Sequence, residues 1–145
     1  MTKKENQRNF LMMTNPNRER LEEVRQRLLT LHKALVDSER VTYEQTVGAI
    51  RSPNHFLQLL TKDPWFAWLQ PLSQLIVSMD EILEAKEPLT PALVEAEVKE
   101  ASRLLAPSEI GEGFSRHYFD ALQRDPDVVL AHREVTKLFG RRTGE

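Results

Sequence analysis

The chain has 145 residues, 40% hydrophobic and 29% charged, with a formal net charge of −2. That length suits one domain able to close a core, the composition excludes a disordered chain, and the near-neutral balance gives no bulk drive toward nucleic acid or anionic membrane. Cysteine is absent, which excludes disulfides, thiolate chemistry and cysteine-ligated metal and fits a cytoplasmic setting.

Residues 1–14 are polar apart from Phe10-Leu11-Met12-Met13, a run too short for a signal-peptide core, and read as a flexible arm. Asn15-Pro16 opens the longest expected helix, taken to about Arg51 and stopped by Ser52-Pro53. Along it Leu21, Val24, Leu28, Leu31 and Leu35 keep alternating three- and four-residue steps, the spacing of a helix–helix seam. Beyond Leu35 the apolar line drifts toward Val36, Tyr43, Val47 and Ile50, which favours a globular bundle over a long coiled coil.

Ser52-Pro53 then caps a short helix carrying Phe56, Leu59 and Leu60. Asp63-Pro64 starts a central helix, expected to reach about Ala85, that holds both tryptophans within four positions. Trp65, Trp68, Leu72, Leu75, Ile76, Met79 and Leu83 recur at helical spacing as one buried face. Pro71 lies inside this stretch without an N–H to donate, so a kink or break is expected there. No segment reaches the roughly 18 uninterrupted apolar residues of a membrane span.

Thr90-Pro91 opens the next helix, running to about Leu105 with Val94, Val98 and Ala101 aligned. Gly111 and Gly113 mark a loop, after which a fifth helix carries Phe114, Tyr118, Ala121 and Leu122. Asp125-Pro126 restarts the chain as a sixth, with Val128, Ala131, Val135 and Phe139 inward, and residues 140–145 read as a frayed tail. No stretch alternates apolar and polar long enough for a strand. The expected fold is all-α: a single-domain irregular bundle of four to six helices over residues 15–139.

The Asp63-Pro64-aromatic block and the run LHKALVDSERVTYEQTVG, from Leu31 to Gly48, resemble a family of small uncharacterised bacterial helical proteins. The resemblance covers most of the chain after Asn15. It implies an all-α fold, and no activity or functional residue.

At 100° per residue, His32 and Glu39 fall within about 40° of the apolar face centred on Leu28, and Tyr43 continues the line. His132 lies beside Val128 on the last helix, Tyr118 lies on the apolar face of the fifth, and Asp80 flanks that of the central helix. These six side chains admit two readings. One is a buried polar network that fixes which helix packs on which. The other is a ligand site in the bundle core, since two histidines and a carboxylate can hold zinc or non-haem iron and support redox or hydrolytic chemistry. No His-Glu-x-x-His or Glu-x-x-His spacing backs the second, so no cofactor is predicted and metal stays an alternative.

The serines lack a nucleophile-elbow context, and no glycine-rich phosphate loop occurs. Arg133, Lys137 and Arg141 share a stripe of the last helix, where cations complement the C-terminal dipole, and nucleic acid is not an expected partner. Arg18, Arg20, Arg25 and Arg27 alternate with glutamates, the pattern of an exposed surface. Excess apolar material makes Leu21, Leu28, Leu35, Trp65, Phe66 and Trp68 candidates for an interface with a second copy or another protein. The expected function is a non-enzymatic interaction or regulatory module; the alternative is a metal- or small-ligand-binding bundle.

Overall fold

Helix starts are written into this chain as a polar cap followed by proline. Asn15, Ser52, Asp63, Thr90 and Asp125 each accept a backbone N–H from two or three residues ahead, at 2.8–3.1 Å, and proline follows each one. Each cap satisfies a donor the first helical turn would leave open, and proline costs nothing there because its missing N–H has no partner to lose. The computed structural model describes residues 15–141, so the expected arm and most of the expected tail lie outside the described residues. The elements are α1 (Pro16–Thr46), α2 (Pro53–Lys62), a 3-10 helix (Pro64–Leu69), α3 (Gln70–Glu84), α4 (Pro91–Leu104), α5 (Phe114–Arg124) and α6 (Pro126–Phe139). Among the described residues there is no strand, and no helix is long and apolar enough to cross a membrane.

Helix α5 starts differently. No side chain caps it, and Gly113 turns the chain at φ 63°, a left-handed conformation that glycine adopts without Cβ strain.

Two boundaries differ from those expected. Helix α1 ends at Thr46 rather than near Arg51. The N–H groups of Val47 and Gly48 both turn to the Tyr43 carbonyl, at 2.7 and 3.3 Å, and Gly48 takes a φ of 156°. Glu44 then accepts the Ile50 N–H at 3.3 Å, folding the chain back so that Ile50 enters the core. The central stretch from Pro64, expected with a kink or break at Pro71, breaks just ahead of that residue into two elements. Six residues of 3-10 helix come first, and the α-helix starts at Gln70 with Pro71 in its first turn, where no donor is required. At three residues per turn, Trp65 stands over Trp68 and Phe66 over Leu69, so the aromatic block serves two adjacent faces.

Helix α1 is the axis. It packs against α3, α4, α6 and the 3-10 helix, and the 3-10 helix also touches α2, α3 and α5. Leu21, Val24, Leu28, Leu31 and Leu35 are 0–1% exposed within the single chain. Phe66, also fully buried, lies 5.6 Å from the Tyr43 ring and 5.9 Å from that of Phe56. On α6 Leu138 is buried and Phe139, expected inward, is only half-buried.

One charge expected on the surface is inside. Arg20 is 8% exposed; it donates through Nη1 to the Leu138 carbonyl at 3.0 Å and pairs with Glu95 at 2.8 Å. It thereby joins α1 to α4 through Glu95 and to the C-terminal end of α6, where it shares the Leu138 carbonyl with the Arg141 N–H. Its helical neighbours Arg18 and Arg25 also reach across, to the Leu83 carbonyl at 3.1 Å and to Asp80 respectively.

Candidate site around Glu39

Glu39 is placed inward by α1, and at 6% exposure it needs partners. Two elements supply one each. The indole N–H of Trp65, from the 3-10 helix, donates to Oε2 at 2.9 Å, and the Arg124 guanidinium, from the last turn of α5, donates through Nη2 to Oε1 at 2.7 Å. Arg124 also donates through Nε to the buried Ser38 hydroxyl at 3.0 Å. One carboxylate thus ties α1, the 3-10 helix and α5 together. The pair is not wholly dry: the Glu39 side chain is 8% exposed and that of Arg124 34%.

Beside this node opens a partly enclosed cavity of about 270 Å³, walled by Glu39, Thr42, Trp65, Trp68, His117, Asp120 and Arg124. His117, an exposed residue of α5, stacks on Trp68 with ring centroids 5.2 Å apart and planes 16° from parallel. Trp68 is buried, and its indole N–H meets no acceptor among the described residues. Arg124 uses two of its five N–H groups in the node, which leaves three. Asp120 pairs with Arg116 at 3.3 Å, one turn back along α5. The walls therefore carry hydrogen-bonding capacity of both kinds that the fold has not consumed.

The six sequence-derived candidates do not converge. His32 Nε2 lies 2.8 Å from Ser73 Oγ, joining α1 to α3, and Ser73 also reaches the Leu69 carbonyl at 3.4 Å. His132 Nδ1 lies 2.5 Å from the Tyr118 hydroxyl, joining α6 to α5. Asp80 pairs with Arg25 at the rim, and Tyr43 packs edge-on against Trp65 at 5.6 Å. Among the described residues, no group of three or more His, Cys, Asp or Glu is placed to hold a metal ion. Three separate hydrogen-bonded ties stand where one ligand cluster was the alternative.

Burial decides the protonation of two of these ties. It lowers the His32 and His132 pKa values from 6.5, favouring neutral imidazoles, and raises that of Tyr118 above 10.0, favouring the neutral phenol. Tyr118 is then the donor and His132 Nδ1 the acceptor. At the other tie, with Ser73 donating to Leu69, His32 Nε2–H donates to the Ser73 hydroxyl.

The interface candidates lie elsewhere than expected. Leu21, Leu28, Leu35, Phe66 and Trp68 are buried in the chain's own core, and Trp65 is half-buried with its N–H committed to Glu39. Self-association read from these residues is left without a free surface. Arg124, Thr42 and Ser38 went unmarked in the sequence, where nothing distinguishes them from ordinary helical polar residues.

No family model, curated protein or solved structure matches this chain. The resemblance noted above therefore adds no residue to the site.

Proposed function

We infer that this is a non-enzymatic binding module of the cytoplasm, and that its binding site is the cavity beside Glu39. The observation that carries this reading is the pairing of a fixed frame with unspent groups. Glu39, Trp65 and Arg124 hold the walls of three elements in place, while Arg124, His117, Trp68 and Asp120 keep donors and acceptors free. Preorganised walls with a few convergent polar groups are the usual make-up of a small-ligand site. The cysteine-free sequence agrees with a reducing compartment.

A larger groove, of about 360 Å³, runs between α1 and α6 beside Leu130. Three of its charged residues, Lys33, Asp37 and Glu134, are paired along their own helices, and it lacks the aromatic walls of the Glu39 cavity. The His32–Ser73 pair resembles a base and a nucleophile, but among the described residues no carboxylate bonds the other imidazole nitrogen and neither residue lines a described cavity.

Both tryptophans of the chain wall the proposed cavity, so tryptophan emission reports on its occupancy. A screen of small metabolites should find compounds that change this emission saturably and raise the melting temperature. Thr42→Phe, which fills the cavity without adding an indole, should abolish both effects. If no compound class gives a saturable change, the binding reading fails.

A further inference from the structure

We propose that the cavity beside Glu39 takes a small zwitterion of free amino-acid type, its carboxylate held by Arg124 and His117 and its ammonium by Asp120. This rests on the binding reading above and names the ligand class for the same site.

Size sets the first limit. At about 270 Å³ the cavity sits just under the range of roughly 300–1,000 Å³ usual for drug-sized ligands, too small for a nucleotide and adequate for an amino acid. Charge sets the second. The walls carry both signs: Glu39 and Arg124, paired with each other at 2.7 Å, and Asp120, paired with the exposed Arg116 at 3.3 Å. A simple anion would meet both carboxylates, and a simple cation would meet Arg124. A ligand carrying both signs matches such a wall.

The unspent hydrogen-bonding groups point the same way. Arg124 has three N–H groups left after Ser38 and Glu39, in the planar fork that suits a carboxylate. The His117 ring has no hydrogen-bond partner among the described residues, so its imidazole N–H is a second donor, held at the cavity wall by the stack on Trp68. For the ammonium, Asp120 is the more open acceptor: its Oδ1 pairs with Arg116 at 3.3 Å and leaves Oδ2, whereas each oxygen of Glu39 already accepts one bond. Flat heteroaromatic ligands are disfavoured: His117 stacks on Trp68, and the Trp65 ring takes the edge-on contact with Tyr43.

Thermal unfolding of the full chain tests the assignment. Glycine, β-alanine and the L-amino acids would be compared at millimolar concentration with their N-acetyl and amide derivatives, with propionate and with butylamine. At least one free amino acid should raise the melting temperature, and blocking either of its termini should remove the effect. Asp120→Asn should weaken that amino acid's binding roughly tenfold or more, and His117→Ala should do likewise, the loss of one charge-assisted bond in each case. Each variant is read against its own unliganded transition, so a folding defect is seen separately.

The proposal is overturned if no free amino acid stabilises the protein. It is equally overturned if such binding survives Asp120→Asn and His117→Ala, or if the blocked derivatives bind as well. Stabilisation by another compound class, sensitive to Thr42→Phe, would leave the binding reading intact and remove the zwitterion. Failure of every class removes both.

Discussion

Glu39→Ala is the most informative single change. It deletes the acceptor of the Trp65 indole N–H at 2.9 Å and the partner of Arg124 at 2.7 Å. Breaking a fully buried ion pair costs about 3–5 kcal/mol because the remaining charge is stranded. Arg124 is 34% exposed, so its guanidinium can regain water and that figure must be discounted. An indole N–H left without an acceptor in the half-buried site adds about 1–3 kcal/mol. The expected total is a loss of about 2–4 kcal/mol, read as a lower denaturant midpoint at unchanged m-value. Glu39→Gln should cost less, about 1–2 kcal/mol, because the amide keeps one acceptor oxygen and turns an NH2 toward the other donor. A double-mutant cycle of Glu39→Ala with Trp65→Phe should show a coupling of about 0.5–3 kcal/mol. A loss below about 0.5 kcal/mol for Glu39→Ala, the range of an ordinary surface change, would refute the argument.

Three further outcomes follow from the same geometry. Because burial lowers the His32 and His132 pKa values from 6.5, the unfolded chain binds more protons than the folded one below that pH. Stability should therefore be full above about pH 6.5 and fall with acidification until the folded pKa values are passed; urea midpoints across this window check it, and a flat profile contradicts it. Tyr118→Phe removes the bond to His132 at 2.5 Å and should cost about 0.5–1.5 kcal/mol by chemical denaturation; an unchanged midpoint would show that the pair contributes nothing. Trp68→Ala empties a site between Phe114 and the His117 ring and should cost about 3–5 kcal/mol, with loss of the more blue-shifted part of the tryptophan emission; an emission spectrum that keeps its blue-shifted part would show that Trp68 is not the buried indole.

The all-α fold was legible because its signals are local. Asn15-Pro16, Ser52-Pro53, Asp63-Pro64, Thr90-Pro91 and Asp125-Pro126 each act as a cap, and a cap depends on neighbours a few residues away. Periodicity likewise placed Glu39 on the inward face, since rotation about a helix is fixed by residue spacing. What meets Glu39 could not be read, because Trp65 and Arg124 lie 26 and 85 positions along the chain. The same limit hid Arg20: its charge alternation matches an exposed surface, and only α4 and α6 packing over it turns it into a junction. The end of α1 escaped for another reason. Residues 47–51 carry helix-compatible apolar spacing, but Gly48 and the Glu44–Ile50 bond stabilise a turn instead.

Nitrogen–proton correlation spectra show whether the Glu39 cavity is where this protein binds its ligand. The titrant is the compound that gives the largest saturable change in tryptophan emission. The Trp65 and Trp68 indole signals and the Arg124 Nε–H signal should shift together and saturate with the same midpoint, while the amides of buried α4 residues such as Val94 and Ala101 stay fixed. Shifts centred instead on the α1–α6 groove around Ala34 and Leu130, with the two indoles unmoved, would contradict that reading.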